Sequence, residues 1–403
     1  IFTRGKMPSN EIVFLDGART PFGTFLGTLK SLSATDLGTI AAKEAMKRSN
    51  VTPDMIDHTV VGNVMQSSAD GVYIGRHVAL AAGVPQDKPG YCVNRMCASG
   101  FQSVLSGAKE ILTGDAEFVL CVGAENMSLA PHVIRNSRTG IGLFQTSMED
   151  SLQSALTDLQ ADVPMGITAE NLAEKYNLNR EEIDEFAALS QKRAHDAWEE
   201  GRLAEECVAV EIADRKKTIL FEADEHIRVD STADKLANLR PVFKKDGVVT
   251  AGNASGINDG AASVVISSLE AAEKKGLKPI GKLVSWGVSG CDPHIMGIGP
   301  AQSSRIALDK AGLTLEDMDL VEINEAFSAQ YLAVEKELGL DRDKTNVNGG
   351  AIAIGHPVGA SGTRLTLTIL KELQRRNAKY GLAGACIGGG MGLSLIVESL
   401  NSN

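Results

Sequence analysis

Apolar positions along this chain switch between two spacings. From Glu11 the run IVFL, β-branched and aromatic, gives way to DGARTPFG, which predicts a strand closing in a Gly/Pro turn. Leu37, Ile40, Ala41, Ala45 and Met46 then recur at three- and four-residue steps, the spacing of one helix face. MIDHTVVGNV supplies a second strand. Helices alternating with strands across short turns predict an α/β fold with a parallel sheet covered on both faces.

The same order of patterns returns after Pro279. PIGKLVSW reads as a strand, a helix follows from about Pro300 to Gly312, and TLEDMDLVEINEAF stands beside the earlier TPDMIDHTVVGNVM. Asp57 matches Asp319 at an offset of 262 residues, and ASG at 98–100 matches ASG at 360–362 at the same offset. CVGAENM from Cys121 matches CIGGGM from Cys386 at 265, and SVVISS from Ser263 resembles LSLIVES from Leu393. Concordant offsets in chain order describe a duplicated α/β unit.

The repeat also locates an insertion. The second copy runs directly from GGGMG into LSLIVES, whereas roughly 130 residues separate GAENM from SVVISS in the first. The expected organisation is a first half over 8–127 and 258–278, an inserted lobe over 128–257, and a second half over 279–403. Within the insert, EEIDEFAALSQKRAHDAW places Ile183, Phe186, Ala187 and Ala194 on one helix face. The insert follows a strand of an α/β sheet, and such sheets bind ligands beyond their strand ends, so it reads as a substrate-holding lobe.

Composition narrows the class. With 43% apolar and 23% charged residues the chain is that of a globular protein, and 403 residues exceed one core, suggesting two to three domains. No apolar run of about 18 residues is present, so no membrane-spanning helix is expected. A net charge of −11 weighs against nucleic acid as a partner. Against that background, residues 215–245 carry eight Lys and Arg to five Asp and Glu, a local excess suited to steering a polyanionic small molecule. Six cysteines without regular spacing or a CxxC pair argue against a disulfide framework and a zinc site, and point to a reducing compartment. Position 1 is Ile and no long apolar segment opens the chain, so residues 1–6 read as a remnant ahead of a start at Met7 rather than a secretory signal.

The candidate chemistry gathers at glycine-rich turns. NVNGGAIAIGHPVGASG, residues 346–362, has five glycines in seventeen residues and sets His356 ahead of a helical stretch marked by Thr366, Ile369, Leu370 and Leu373. Cys97, in NRMCASG, immediately precedes the other ASG, and Phe101, Val104, Leu105, Ala108, Ile111 and Leu112 follow at helix spacing. A thiol at a helix N-terminus is expected to have its pKa drawn below about 8.5, because the dipole favours the thiolate. If the two helix starts meet, a cysteine and a histidine come together as an activated nucleophile. Cys386, in GACIGGGMG, ends another expected strand and could act as an acid or base, and Asn324, in VEINEAF, could fix a water or polarise an oxygen. Cys92, Cys121, Cys207 and Cys291 read as structural, as do His58, His77, His132, His195 and His226.

Taken together, NRMCASGFQS, VEINEAFSAQ, NGGAIAIGHPVGASG and CIGGGMG resemble the thiolase family, in the family's order and across nearly the whole chain. PMGITAENLA, DEHIR and VTAGNASGINDGAA in the insert resemble its loop domain. The resemblance implies a five-layered α-β-α-β-α sandwich with an inserted loop domain. It implies that Cys97 is the nucleophile that takes the acyl group and that His356 activates it. It further implies that His356 and a water on Asn324 stabilise an enolate oxygen, that Cys386 moves a proton at the α carbon, and that the N–H groups of Cys97 and Gly388 form a second oxyanion hole. Coenzyme A, a substrate rather than a cofactor, would lie on the loop domain. Arg228 would sit near its nucleotide end, Ser255 and Phe243 along the pantetheine, and Met165 and Phe327 at the thioester. No metal or redox cofactor is implied. The family's dimers and dimers of dimers imply a homo-oligomer, in a bacterial cytoplasm or a mitochondrial matrix.

One departure bears on substrate range. Short-chain biosynthetic thiolases usually carry histidine before the Met-Gly of the loop domain, and this chain has Pro164 in VPMG, which resembles 3-ketoacyl-CoA thiolases of the mitochondrial type. Degradative cleavage of 3-ketoacyl-CoA is therefore expected ahead of acetoacetyl-CoA synthesis from two acetyl-CoA. A ketoacyl-synthase-type enzyme would usually present a second histidine where Cys386 stands. A non-catalytic acyl-CoA-binding protein would be expected to have lost Cys97, His356 or Cys386.

Overall fold

The structure, a computed structural model, describes residues 11–144, 147–214 and 217–400. Met7 and the residues before it lie outside the described residues, as do Arg215 and Lys216 of the basic stretch. The first half comprises β1 (Ile12–Arg19), α1 (Ala34–Arg48), β2 (His58–Gly62), α2 (Ile74–Ala81), β3 (Gly90–Val93), α3 (Ser99–Thr113) and β4 (Phe118–Asn126). Helices α4 (Met165–Lys175) and α5 (Arg180–Glu199) then precede β5 (Asn258–Ser268). The second half follows as β6 (Gly281–Gly290), α6 (Gly299–Ala311), β7 (Leu320–Ile323), α7 (Ser328–Leu338), α8 (Ser361–Arg375), β8 (Tyr380–Ile387) and β9 (Met391–Ser399).

Local chemistry sets the helix ends. Ser33 and Asp36 form a reciprocal capping box at the start of α1, satisfying two backbone donors there. Gly114, Gly312 and Gly339 close α3, α6 and α7 in the left-handed region that favours glycine.

The duplication is repeated in the strand order. The main sheet runs β7-β8-β9-β6-β1-β5-β4-β2-β3, with Gly23–Thr24 pairing on β5 as a tenth strand. The order β2-β4-β5-β1 of the first half recurs as β7-β8-β9-β6 in the second. The halves join through edge strands β1 and β6 over two residue pairs, Val13 with Lys282 and Phe14 with Gly281.

So narrow a seam lets the two half-sheets enclose a helical layer. Phe101, Val104 and Leu105 of α3 and Leu365, Leu367 and Ile369 of α8 share one core with Val119 and Ile266 of the first half and Leu393 and Leu395 of the second. The far face of the first half packs on α1 and α2 through Leu37, Ala41 and Val78. That of the second packs Ile323, Leu382 and Ile396 against Ala307, Leu332, Leu172 and Phe186 of α6, α7, α4 and α5. The result is the five-layered α-β-α-β-α arrangement. Alternation along β9 carries it, since Leu393, Leu395 and Val397 face the middle layer and Ile396 the outer one.

Two expectations need correction. The sheet is mixed, not parallel: among the paired strands of the described residues, β7/β8, β2/β3 and β2/β4 are parallel and the others antiparallel. Three residues join β8 to β9, too few for a crossover, so β9 returns antiparallel. The strand at IVFL also continues through DGAR to Arg19, with its register shifted between Phe14 and Asp16. Gly17 there serves close packing and not a turn, since a Cβ would lie 2.5 Å from the Ser263 carbonyl oxygen.

Candidate active site

Between β3 and α3 the chain makes a tight turn that presents Cys97 one residue before the N-cap, Ala98. Met96 takes a φ of 46°, unusual for a residue with a side chain, and the turn is held by its own polar groups. Asn94 Oδ1 accepts from the Met96 N–H at 2.9 Å, and Ser99 Oγ donates to the Met96 carbonyl at 2.7 Å while accepting from the Arg95 N–H at 2.9 Å.

The two ASG helix starts meet, as the repeat predicts. A Cβ on Gly100 would lie 2.4 Å from the Thr363 nitrogen, and one on Gly362 would lie 2.2 Å from the Phe101 nitrogen, so only glycine allows this approach. The partner of Cys97 in that register is Gly359, however, and His356 comes three residues earlier. Its loop is more structured than expected, with a short helix at Ala351–Ile354 ended by Gly355 at a φ of 107°.

His356 is held on three sides. Its backbone N–H donates to Asn258 Oδ1 at 3.0 Å, Nδ1 lies 2.6 Å from Ser361 Oγ, and Nε2 lies 3.4 Å from Asn324 Nδ2. The Ser361 hydroxyl donates to the Pro357 carbonyl at 3.0 Å, so it accepts from Nδ1–H, which assigns the lone pair to Nε2. Burial, reinforced by the Arg364 charge, holds the imidazole pKa down at about 3, so the ring is neutral at physiological pH.

Cys386 is fully buried at the end of β8 and packs with Met296, Ala326, Met165 and Phe327. Burial, with the neighbouring Cys97 and Cys291 sulfurs, pushes its thiol well above the usual range. Burial likewise pushes the Cys97 thiol up to about 11, although the N–H groups of Gly388 and of Cys97 itself point at the sulfur and oppose the shift. The expected depression below 8.5 is therefore not found. Loss of solvation, with the Glu125 charge adding to it, outweighs the two amide dipoles.

A cavity of about 620 Å³ opens in front of these groups. Met165, Arg228, Phe243, Ser255, Phe327 and His356 all line it. Cys97, Asn324, Cys386 and Gly388 sit just behind the lining. Cys97 packs with Met127, Leu156 and Val358 of the wall, Asn324 touches His356, and a Cβ on Gly388 would lie 3.4 Å from Met165 Sδ. In the basic stretch, Lys235 and Lys244 are paired with Asp230 and Glu174, while Arg228 reaches the cavity. The sequence reading missed His226. It lines the cavity against Gly256, and burial followed by Arg228 holds its pKa down at about 4. Its place two residues before Arg228 in DEHIR was the available signal. Ser361 and Asn258, which orient His356, lie inside the motifs ASG and VTAGNASGINDGAA but were given no role there.

Models of the thiolase N-terminal and C-terminal domains match residues 12–270 and 277–399. The chain belongs to the thiolase family. It is 50% identical to the human mitochondrial 3-ketoacyl-CoA thiolase over 94% of its own length and 96% of that protein. It is 47% identical to an acetyl-CoA acetyltransferase of Chromobacterium violaceum, over 96% and 99%. The crystal structure of the human mitochondrial 3-ketoacyl-CoA thiolase in complex with CoA superposes with a TM-score of 0.94 at 49% identity, covering 97% of this chain and 98% of that one. This thiolase is accordingly an acyltransferase. No helix among its described residues is long and apolar enough to cross a membrane.

Proposed function

We propose that this thiolase cleaves 3-ketoacyl-CoA with coenzyme A to acetyl-CoA and a shortened acyl-CoA, through an acyl group carried on Cys97. The observation that carries the reading is the convergence of two sets of polar groups at one cavity. The N–H groups of Cys97 and Gly388 point at the nucleophilic sulfur, and His356 Nε2 stands 3.4 Å from Asn324 Nδ2.

Each step needs one of these groups. The neutral His356 takes the Cys97 proton on Nε2 as sulfur attacks the 3-keto carbon, and the oxyanion formed meets the two N–H donors. The bond between the α and β carbons then breaks, leaving its electron pair as the enolate of acetyl-CoA beside His356 and a water held by Asn324. The Asn324 Oδ1 atom, buried with no hydrogen-bond partner among the described residues, suits it to holding such a water. Cys386 gives the α carbon its proton, and its high pKa favours the protonated thiol needed for this. Coenzyme A then gives its thiol proton to the Cys386 thiolate, its sulfur attacks the acyl carbon on Cys97, and the Cys97 sulfur that leaves recovers the proton held by His356. Residues 128–257 would act as the loop domain, with Arg228 toward the nucleotide, Ser255 and Phe243 along the pantetheine, and Met165 and Phe327 beside the thioester. No metal or redox group enters this scheme.

Two further parts belong to the reading. Pro164 supports the degradative direction over synthesis of acetoacetyl-CoA, while the relative named acetyl-CoA acetyltransferase supports the synthetic one. A ladder of 3-ketoacyl-CoA chain lengths separates them, the degradative reading requiring better thiolysis beyond four carbons. A homo-oligomer is supported by edge strand β3, which among the described residues pairs on one side, with Val72 and Tyr73 exposed nearby, and light scattering at a monomer mass would oppose it. For the central claim, Cys97→Ala should abolish acetoacetyl-CoA thiolysis while coenzyme A still binds, and full activity in that variant rules out the covalent route.

A further inference from the structure

Glu125, at the end of β4, is a completely buried carboxylate with four donors around it, none of them a cation. Oε1 accepts from Asn63 Nδ2 at 2.9 Å and from the Met65 N–H at 3.1 Å. Oε2 accepts from the Val64 N–H and the Gly359 N–H, each at 3.0 Å. The first three donors belong to the segment after β2, whose Val64 and Met65 pack with Cys97. The fourth belongs to the other half, in the loop that carries His356, and Val358 beside it packs into the same cluster. One carboxylate therefore ties the surroundings of the nucleophile to the loop of its base.

The duplicated unit has no second copy of this device. Counting from Cys121 and Cys386, the position matching Glu125 is Gly390, where a φ of 79° and a Cβ 2.4 Å from the Cys291 carbonyl oxygen leave no place for a side chain. The end of β8 instead supplies the glycine turn whose Gly388 N–H points at Cys97. One half thus donates to the sulfur at this point, and the other grips the two loops.

We propose that Glu125 is a positioning residue that sets the gap between Cys97 and His356 by clasping the segment behind the first and the loop of the second. The proposal rests on the acyl-cysteine reading above. A carboxylate suits the task because it offers only acceptors, and all four donors around it need one. Burial pushes its carboxyl up, but the Met65, Val64 and Gly359 N–H groups oppose that shift, and four donors converging on two oxygens are built to hold the ionised form.

Glu125→Gln tests it, since the isosteric amide must turn an NH₂ toward one pair of donors and so loses either the Asn63 and Met65 bonds or the Val64 and Gly359 bonds. In steady-state thiolysis of acetoacetyl-CoA, kcat should fall about 100-fold, the scale of a small misplacement of reacting groups, with KM for both substrates within about twofold. A folded variant whose kcat stays within about threefold of the parent, or whose loss lies wholly in KM, overturns the proposal. Should Glu125→Gln not fold, Asn63→Ala removes one of the four donors and should lower kcat about tenfold at unchanged KM, and an unchanged kcat there overturns it equally. Cys97→Ala measured alongside keeps the two claims apart. Activity in that variant sinks the acyl-cysteine reading, whereas an inactive Cys97→Ala beside a fully active Glu125→Gln sinks only the clasp.

Discussion

His356 and Ser361 face each other across 2.6 Å, joined by the turn that begins α8. Because Ser361 Oγ also donates to the Pro357 carbonyl, it holds the imidazole in one tautomer and one orientation, with Nε2 toward Asn324. Ser361→Ala should therefore lower kcat by about 10- to 100-fold while leaving KM nearly unchanged, because a base free to adopt the wrong tautomer still leaves the cavity intact. Steady-state kinetics with acetoacetyl-CoA would check this, and an unaltered kcat would show that the serine does not orient the base.

The raised thiol of Cys97 makes a second prediction. With its pKa near 11 beside a neutral histidine, the free enzyme holds a thiol and an imidazole at pH 7, not a thiolate–imidazolium pair. Alkylation of Cys97 by iodoacetamide in the absence of substrate should rise with pH through 9 without levelling off, read by mass spectrometry of the peptide that carries it. A plateau reached by pH 7 would contradict this.

His356 also links stability to acidity. Its folded pKa of about 3 lies below its ordinary 6.5, so the unfolded chain binds more protons between those values. The stability it contributes is present above pH 6.5 and is lost as the pH falls toward 3. Within that window each step of one pH unit removes up to about 1.4 kcal/mol, a substantial acid sensitivity for a single side chain. His356→Asn should flatten the loss of stability between pH 6 and 4 relative to the parent in urea titrations. Parallel curves would argue that the ring is not buried neutral.

Gly166 stands where the cavity has no room to spare. A Cβ there would lie 2.3 Å from the Phe243 ring, so Gly166→Ala should drive that ring toward the space between it and Phe327, a centroid distance of 6.3 Å. KM for coenzyme A should rise about five- to tenfold with a smaller change in kcat, and thermal stability should change little because Phe243 is part-exposed. An unchanged KM would mean that the ring moves outward instead.

Much of this was legible along the chain. The offset of 262 foretold both the repeated strand order and the contact of Gly100 with Thr363, because small residues at matching positions mark where backbones must approach. The glycine-rich stretches around Cys97 and His356 marked the right helix starts, and the one around Cys386 the right strand end. Strand direction was not read, since the pattern of apolar residues does not distinguish parallel from antiparallel neighbours; for β8 and β9 the cue was the direct run from GGGMG into LSLIVES, too short for a crossover. The helpers were not legible either. Ser361, Asn258 and Glu125 are ordinary polar residues in sequence and become significant only through what they touch across the fold.

The amino-acid sequence by itself determined that the chain is a duplicated α/β unit and which thiols, imidazole and amide are the candidates for its chemistry. These follow from spacing and residue type, which are local properties. Only the tertiary structure decided how acidic those groups are and how they are held. The Cys97 thiol lies near 11 rather than below 8.5 because burial removes water from the sulfur, and the depth of burial depends on two halves closing over one another.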